Sequence, residues 1–469
     1  MPSIEKKSDS ELIKISLVMT VAMVAPALNS TIVNVAINTI SEVFKSSIAL
    51  TQWITTVYIL VMGIAVPLSG WFSNKFSLRK VHLISQLIFL MGSVAAALSW
   101  NIESLIAFRV IQAAGAGIML PIMQNLLVRY TKGAGLGRIM AIVGIVAVVI
   151  PVFGPVAGGL IINNLSWQWI FYINIPICLA AFILTFIYLP YDAPVNKNQK
   201  LDIAGLLLLS SAFILFLLAI SKLRQGEIPV LFIAAGIVFT ASYIAYALKS
   251  KIENVLNIRL FQFKNFTASS VLIFISGAVT TGTLFILPLF FQQAYALSPL
   301  YAGWLLASQG IGMLLTRTMS GKLTDKIGAR FVVFFGLTIT ALGTLPFALF
   351  DFSGNIAVSV IVLLARGAGL GFLTIPAMVS IYDGLSKKHV PHATIAARIF
   401  QQIGAAFGTA VLAIILQHHL SFGNVLRAFR VVFAYSAFFA AACGIPAFFL
   451  KQKSGSRDNI LSGDGGIVH

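Results

Sequence analysis

Apolar runs of about 20 residues recur from one end of this chain to the other, each long enough to cross a bilayer core of about 30 Å as a helix. No polar stretch divides the 469 residues into separate globular blocks. Inside lipid a crossing segment has to satisfy its own backbone N–H and C=O groups, which a single helix does. The chain therefore reads as an all-α polytopic membrane protein. Composition agrees, with 58% hydrophobic and 10% charged residues, where a soluble chain carries about 25% charge. The first run, near 14–36, is too long for a cleavable signal peptide and lacks a small-residue cleavage site. Cys178 and Cys443 lie within apolar runs and read as packing residues.

Fourteen spans are expected, near 14–36, 50–72, 80–100, 104–126, 138–162, 169–189, 201–221, 228–248, 267–291, 300–320, 330–350, 355–379, 394–416 and 430–450. The net charge of +18 could suggest nucleic acid, but its distribution is topological. With the N-terminus inside, 23 of the 32 Lys and Arg residues fall on the cytoplasmic side, 5 outside and 4 within spans. That is a positive-inside pattern, and shifting the register by one helix would reverse it. The expectation is a multi-pass protein of the cell membrane with both termini cytoplasmic, bound to lipid and not to nucleic acid.

Several spans carry groups that lipid does not welcome. Residues 144–159 (GIVAVVIPVFGPVAGG) are apolar but hold Gly154 and Gly158 at the spacing that lets two membrane helices approach closely. Pro151 and Pro155 each remove an internal hydrogen bond, so a kinked packing helix is the plain reading. The first span carries Asn29, Ser30, Thr31, Asn34 and Asn38, which need a neighbouring helix or a wet cavity. Gln52, Trp53 and Tyr58 open the second span and suit a cavity or an interface. Arg109 sits inside the fourth, where a charge costs at least about 3 kcal/mol unless it snorkels to a headgroup. Gln112 follows it by one turn. No phosphate-binding loop, metal-ligand spacing or nucleophile–base pair is present, so neither enzyme activity, cofactor nor metal is expected.

The order of these residues resembles the major facilitator superfamily, and within it the fourteen-helix drug:proton antiporters of multidrug efflux type. G-P-x-x-G-G at Gly154, Pro155, Gly158 and Gly159 resembles the antiporter signature of a helix between the two halves. NSTIVNVA in the first span is similar to L-D-x-T-I-V-N-V-A, with Asn29 in place of the acid. GWFSNKFSLRK resembles the superfamily's gate loop: Gly70, Lys75, Arg79 and Lys80 match, while Asn74 replaces Asp and Ser77 replaces Gly. A second copy, GKLTDKIGAR, keeps Gly321, Asp325, Gly328 and Arg330 about 250 residues later, as a duplicated transporter requires. RVIQAAGAG is similar to R-x-x-Q-G-x-G, and RGAGLGFLTIP after Arg366 loosely repeats it. The string Trp167, Trp169, Phe171, Tyr172, Asn174 and Pro176 looks like the start of helix 6 in these antiporters.

The resemblance implies two six-helix bundles, at 1–190 and 266–453, with two additional spans in a connector at 191–265 and a disordered tail at 454–469. It implies alternating-access efflux of amphipathic drugs by a monomer, coupled to protons. The substrate cavity would hold Asn29, Thr31, Asn34, Gln52, Trp53, Tyr58, Arg109, Gln112 and Gln292. None of the 14 Asp and Glu residues falls at mid-span, so coupling would need a peripheral acid such as Glu103 or Asp383. An acid-free cavity around Arg109 would favour anions, which leaves export or uniport of an anionic metabolite or siderophore as the alternative. A non-transporting membrane sensor is the further alternative.

Overall fold

The computed structural model describes residues 9–131, 136–193, 201–223, 229–250, 254–350, 355–385, 389–442 and 444–450. The tail at 454–469 and most of the polar connector therefore lie outside the described residues. So do the side chains of Asn74, Asp325 and Pro151.

The described residues contain helices and no strand. In chain order the first group is α1 (Asp9–Val43), α2 (Ile48–Thr51), α3 (Trp53–Lys75), α4 (Leu78–Ala97), α5 (Ile102–Thr131), α6 (Leu136–Asn164), α7 (Trp169–Tyr172) and α8 (Asn174–Tyr188). A pair follows, α9 (Ile203–Leu223) and α10 (Val230–Lys249), and then the 3-10 turn Ile258–Gln262. The second group is α11 (Lys264–Gln293), α12 (Pro299–Ile327), α13 (Ala329–Leu349), α14 (Ile356–Ser380), α15 (Val390–Leu420), α16 (Val425–Ala442) and α17 (Gly444–Phe448).

Among the described residues eleven stretches are long and apolar enough to cross a membrane, so the fourteen expected are not all seen there. The described apolar parts of α6 and α9 are shorter, Val152–Asn164 and Ile203–Ala219. The third, α12, is diluted by Tyr301, Trp304, Ser308, Gln309 and four glycines. It packs against both α6 and α14, so protein covers much of what lipid would otherwise touch.

Within the first group α1 packs on α6, and both α3 and α4 pack on α5. The second group repeats this, with α11 on α15 and both α12 and α13 on α14. The repetition reaches single residues. A side chain at Gly117 would strike Met62 and Ala65 of α3, and one at Gly371 would strike Met313 and Thr316 of α12, about 250 residues on. Gly154 and Gly158 meet Thr31 and Ile32 as Gly404 and Gly408 meet Phe274 and Ala278. Gly92 lies on Gln112 as Gly343 lies on Arg366, so the repeat aligns Arg366 with Gln112 and not with Arg109. These bare crossings let backbones touch, which is how helices associate where lipid removes the hydrophobic drive.

Candidate functional site

A cavity of about 1120 Å³ lies between the two groups. Its walls come from one end of the molecule: the last turns of α3 (Gly70, Trp71, Ser73), the start of α9 (Asp202, Leu206) and the start of α15 (His392, Arg398). Deeper walls come from α1, α5 and the middle of α11. The basic loops at 75–80 and 322–330 sit at that same end.

The opposite end is closed by contacts between the groups. Gln292 Nε2 donates to Val35 O at 3.0 Å and Gln293 Nε2 to Asn38 Oδ1 at 2.5 Å. Ala49 N donates to Gln417 Oε1 at 3.4 Å. Below them an apolar cluster joins Ile32, Ile37 and Phe171 to Phe285, Phe290, Phe291 and Phe433. No ion pair among the described residues takes part. On α6, two faces one residue apart do different work. Gly154 and Gly158 face α1, whereas Pro155 and Gly159 face α12, where Gly303 lies on Pro155 O and Gly159 on Pro299 O and Leu300.

Of the residues expected at the cavity, Thr31 lines it. Arg109 is 1% exposed, in the core of the first group. Its Nε donates to Ile54 O at 3.1 Å, and its Nη1 donates to Gln112 Oε1 at 2.5 Å and to Asn29 Oδ1. The guanidinium stacks 3.9 Å over the Tyr58 ring. Gln112 in turn donates to Ser93 Oγ at 2.7 Å. Amide oxygens and a π face thus satisfy the charge that no carboxylate meets among the described residues. Asn34 accepts from Thr55 at 3.2 Å, Gln52 accepts from Thr56, and both amides are buried. Trp53 and Gln292 are half-buried.

The two gate-loop copies differ in local chemistry. Gly328 ends α12 at φ +92°, a conformation that favours glycine. At the matching Ser77 φ is −61°, so a side chain fits there without strain. Ser77 caps α4 and donates to Asp192 Oδ1 at 2.8 Å, while Asp192 also accepts from Leu78 N and Arg79 N at 2.8 and 3.0 Å. The loop with Ser77 in place of glycine is thus tied down by a capping carboxylate. Arg79 donates to Phe186 O at 2.5 Å, Lys80 Nζ lies 5.6 Å from the Tyr191 ring and Arg330 lies 4.1 Å over Phe448. Gly70 lines the cavity facing Ile395, and a Cβ at Gly321 would meet no neighbouring element within 4 Å.

Sequence reasoning missed several residues. Asp202, read as part of the connector, is 3% exposed and lines the cavity. It accepts from Gly205 N and Tyr246 Oη at 2.8 Å and from Val255 N at 3.0 Å. His82 is fully buried in α4, 2.9 Å from Gln86 Nε2, which also reaches Thr185. Its signal in the sequence is an ionisable residue within an apolar span. Arg366 is buried likewise, donating to Thr344 at 3.0 Å and Gln309 at 2.6 Å.

The family model for the Major Facilitator Superfamily matches residues 19–265 and 269–465. The chain is 29% identical over 434 residues to a multidrug resistance protein B homolog of Mycobacterium tuberculosis, covering 90% of this chain and 80% of that one. It is 30% identical over 393 residues to the lincomycin resistance protein LmrB of Listeria monocytogenes, covering 83% of each. The riboflavin transporter RibZ of Clostridioides difficile is 28% identical over 417 residues, or 88% and 90%. Among solved structures, the D-xylose-proton symporter superposes with a TM-score of 0.69 at 13% identity, over 93% of this chain and 96% of that one. The nucleoside transporter NupG does so at 0.68 and 15%, over 92% and 99%. With a helical fold, a duplicated packing plan and a family match along nearly its whole length, this chain is a transporter and not an enzyme, and it belongs to the major facilitator superfamily.

Proposed function

We propose that this protein exports amphipathic small molecules by alternating access, with bundles at 1–190 and 266–453 rocking about the cavity and α9 and α10 completing fourteen spans. The observation that carries this is the cavity between the groups, walled at one end and sealed at the other by amide contacts and an aromatic cluster. Positive-inside bias supports reading the walled end as cytoplasmic and this state as inward-facing. Met23, Met62, Met123 and Trp71 line the walls, and such flexible, polarisable side chains repack around varied ligands. The relatives named for multidrug and lincomycin resistance support the drug-efflux reading.

Proton exchange is the energy source that the antiporter resemblance implies. With Asn29 where those antiporters carry an acid, the proton would run through Asp202 or His392 at the cavity, or through the buried His82. Expression in a pump-deficient bacterial host should raise the inhibitory concentration of lincomycin or of the amphipathic carboxylate fusidic acid several-fold. The export reading fails when resistance is unchanged and membrane vesicles bearing the protein accumulate neither compound.

A further inference from the structure

The cavity is unevenly charged. Among its described lining residues the charged side chains are Asp202 and Arg398, with His392 titratable. Asp202 already accepts three hydrogen bonds, two from backbone N–H groups and one from Tyr246, which pin the start of α9 to the segment after α10. Its charge is largely spent on holding that wall together. Arg398 differs: it is open to the cavity while protein encloses it elsewhere, and no carboxylate among the described residues pairs with it. Gln401, Gln402 and Thr374 flank it with neutral hydrogen-bonding groups. Low-dielectric walls focus the field of that charge into the cavity.

Arg398 contrasts with Arg109 and Arg366, which sit in the cores of their groups with amide and hydroxyl partners. A planar guanidinium left facing an enclosed space is a fork matched to a carboxylate. Resting on the transport reading above, we propose that Arg398 is a substrate-binding residue, and that the cavity takes an amphipathic carboxylate with its anionic group on α15 and its apolar body against Met62, Trp71 and Met123. The charge at mid-cavity then comes from the substrate, and a cationic molecule is disfavoured at this wall.

The test uses the full chain in detergent and in liposomes with two dyes on one xanthene scaffold, anionic 5-carboxyfluorescein and cationic rhodamine 6G. Binding is read by fluorescence polarisation and transport by dye accumulation. Carboxyfluorescein should bind the wild type more tightly than rhodamine 6G. Arg398→Gln should weaken carboxyfluorescein by about ten-fold or more, the scale of a charge-assisted contact, and change rhodamine 6G by less than about two-fold. Arg398→Lys should fall between, because it keeps the charge and loses the fork. Equal loss for both dyes, or an unchanged carboxyfluorescein affinity in Arg398→Gln, overturns the assignment. A wild type that moves rhodamine 6G but not carboxyfluorescein overturns it while leaving transport intact, whereas failure to bind or move either dye overturns both.

Discussion

At the scale of residues, the guanidinium of Arg109 holds the first group together from inside. It ties α5 to α1 through Asn29 and to α3 through Ile54 and Tyr58. Truncating it leaves the buried oxygens of Asn29, Gln112 and Ile54 without this donor, at about 1–3 kcal/mol for each group left unsatisfied. Arg109→Ala should therefore lower the melting temperature of the purified protein markedly, and Arg109→Lys should recover little because one ammonium cannot reach all three acceptors. Asn29→Asp places a carboxylate against a charge that now has neutral partners, and should raise the melting temperature. A lower one would show that Arg109 is already fully compensated. The sequence made these residues visible and their setting ambiguous. A polar side chain in an apolar helix needs a partner, and a bundle core supplies one as well as a wet cavity does. Asn29, Asn34, Gln52 and Gln112 all took the core. Arg398 also falls within an apolar run, and nothing local distinguishes a cavity arginine from a core one.

At the scale of elements, α6 serves two partners at once. The glycine and proline pattern announced close approach correctly, but periodicity alone did not say that adjacent positions serve different helices. Gly158→Leu would drive a side chain into Ile32 O, 2.7 Å from where a Cβ would stand, and should loosen α1 from α6 within one group. Gly303→Leu would instead wedge α12 from Pro155 at the contact between groups. Its expected effect is to open the sealed end: a cysteine at Leu300 should label faster with a membrane-impermeant maleimide, while transport falls at least several-fold. Unchanged labelling with transport intact would remove Gly303 from the closure. The repeat of glycine contacts in α5 and α14, and in α6 and α15, was legible only as two loop motifs and one loose echo. Most of the matching is backbone against backbone, which leaves little trace in side-chain identity.

At the scale of the whole molecule, the hydropathy runs conveyed the helical class, and the duplicated loops conveyed the repeated plan. The number of spans was harder to read, because the described apolar parts of α6 and α9 are short and α12 mixes apolar residues with Ser308, Gln309 and glycines. The sealed end depends on neutral contacts and aromatic packing, so its opening should respond little to salt. The most direct measurement of alternating access is a cross-link there, with cysteines at Asn38 and Gln293, whose side chains are 2.5 Å apart, in a background lacking Cys178 and Cys443. A short bifunctional thiol reagent should trap the sealed state and abolish dye transport in liposomes, and cleaving the linker should restore it. Full transport by the completely cross-linked protein would contradict the account.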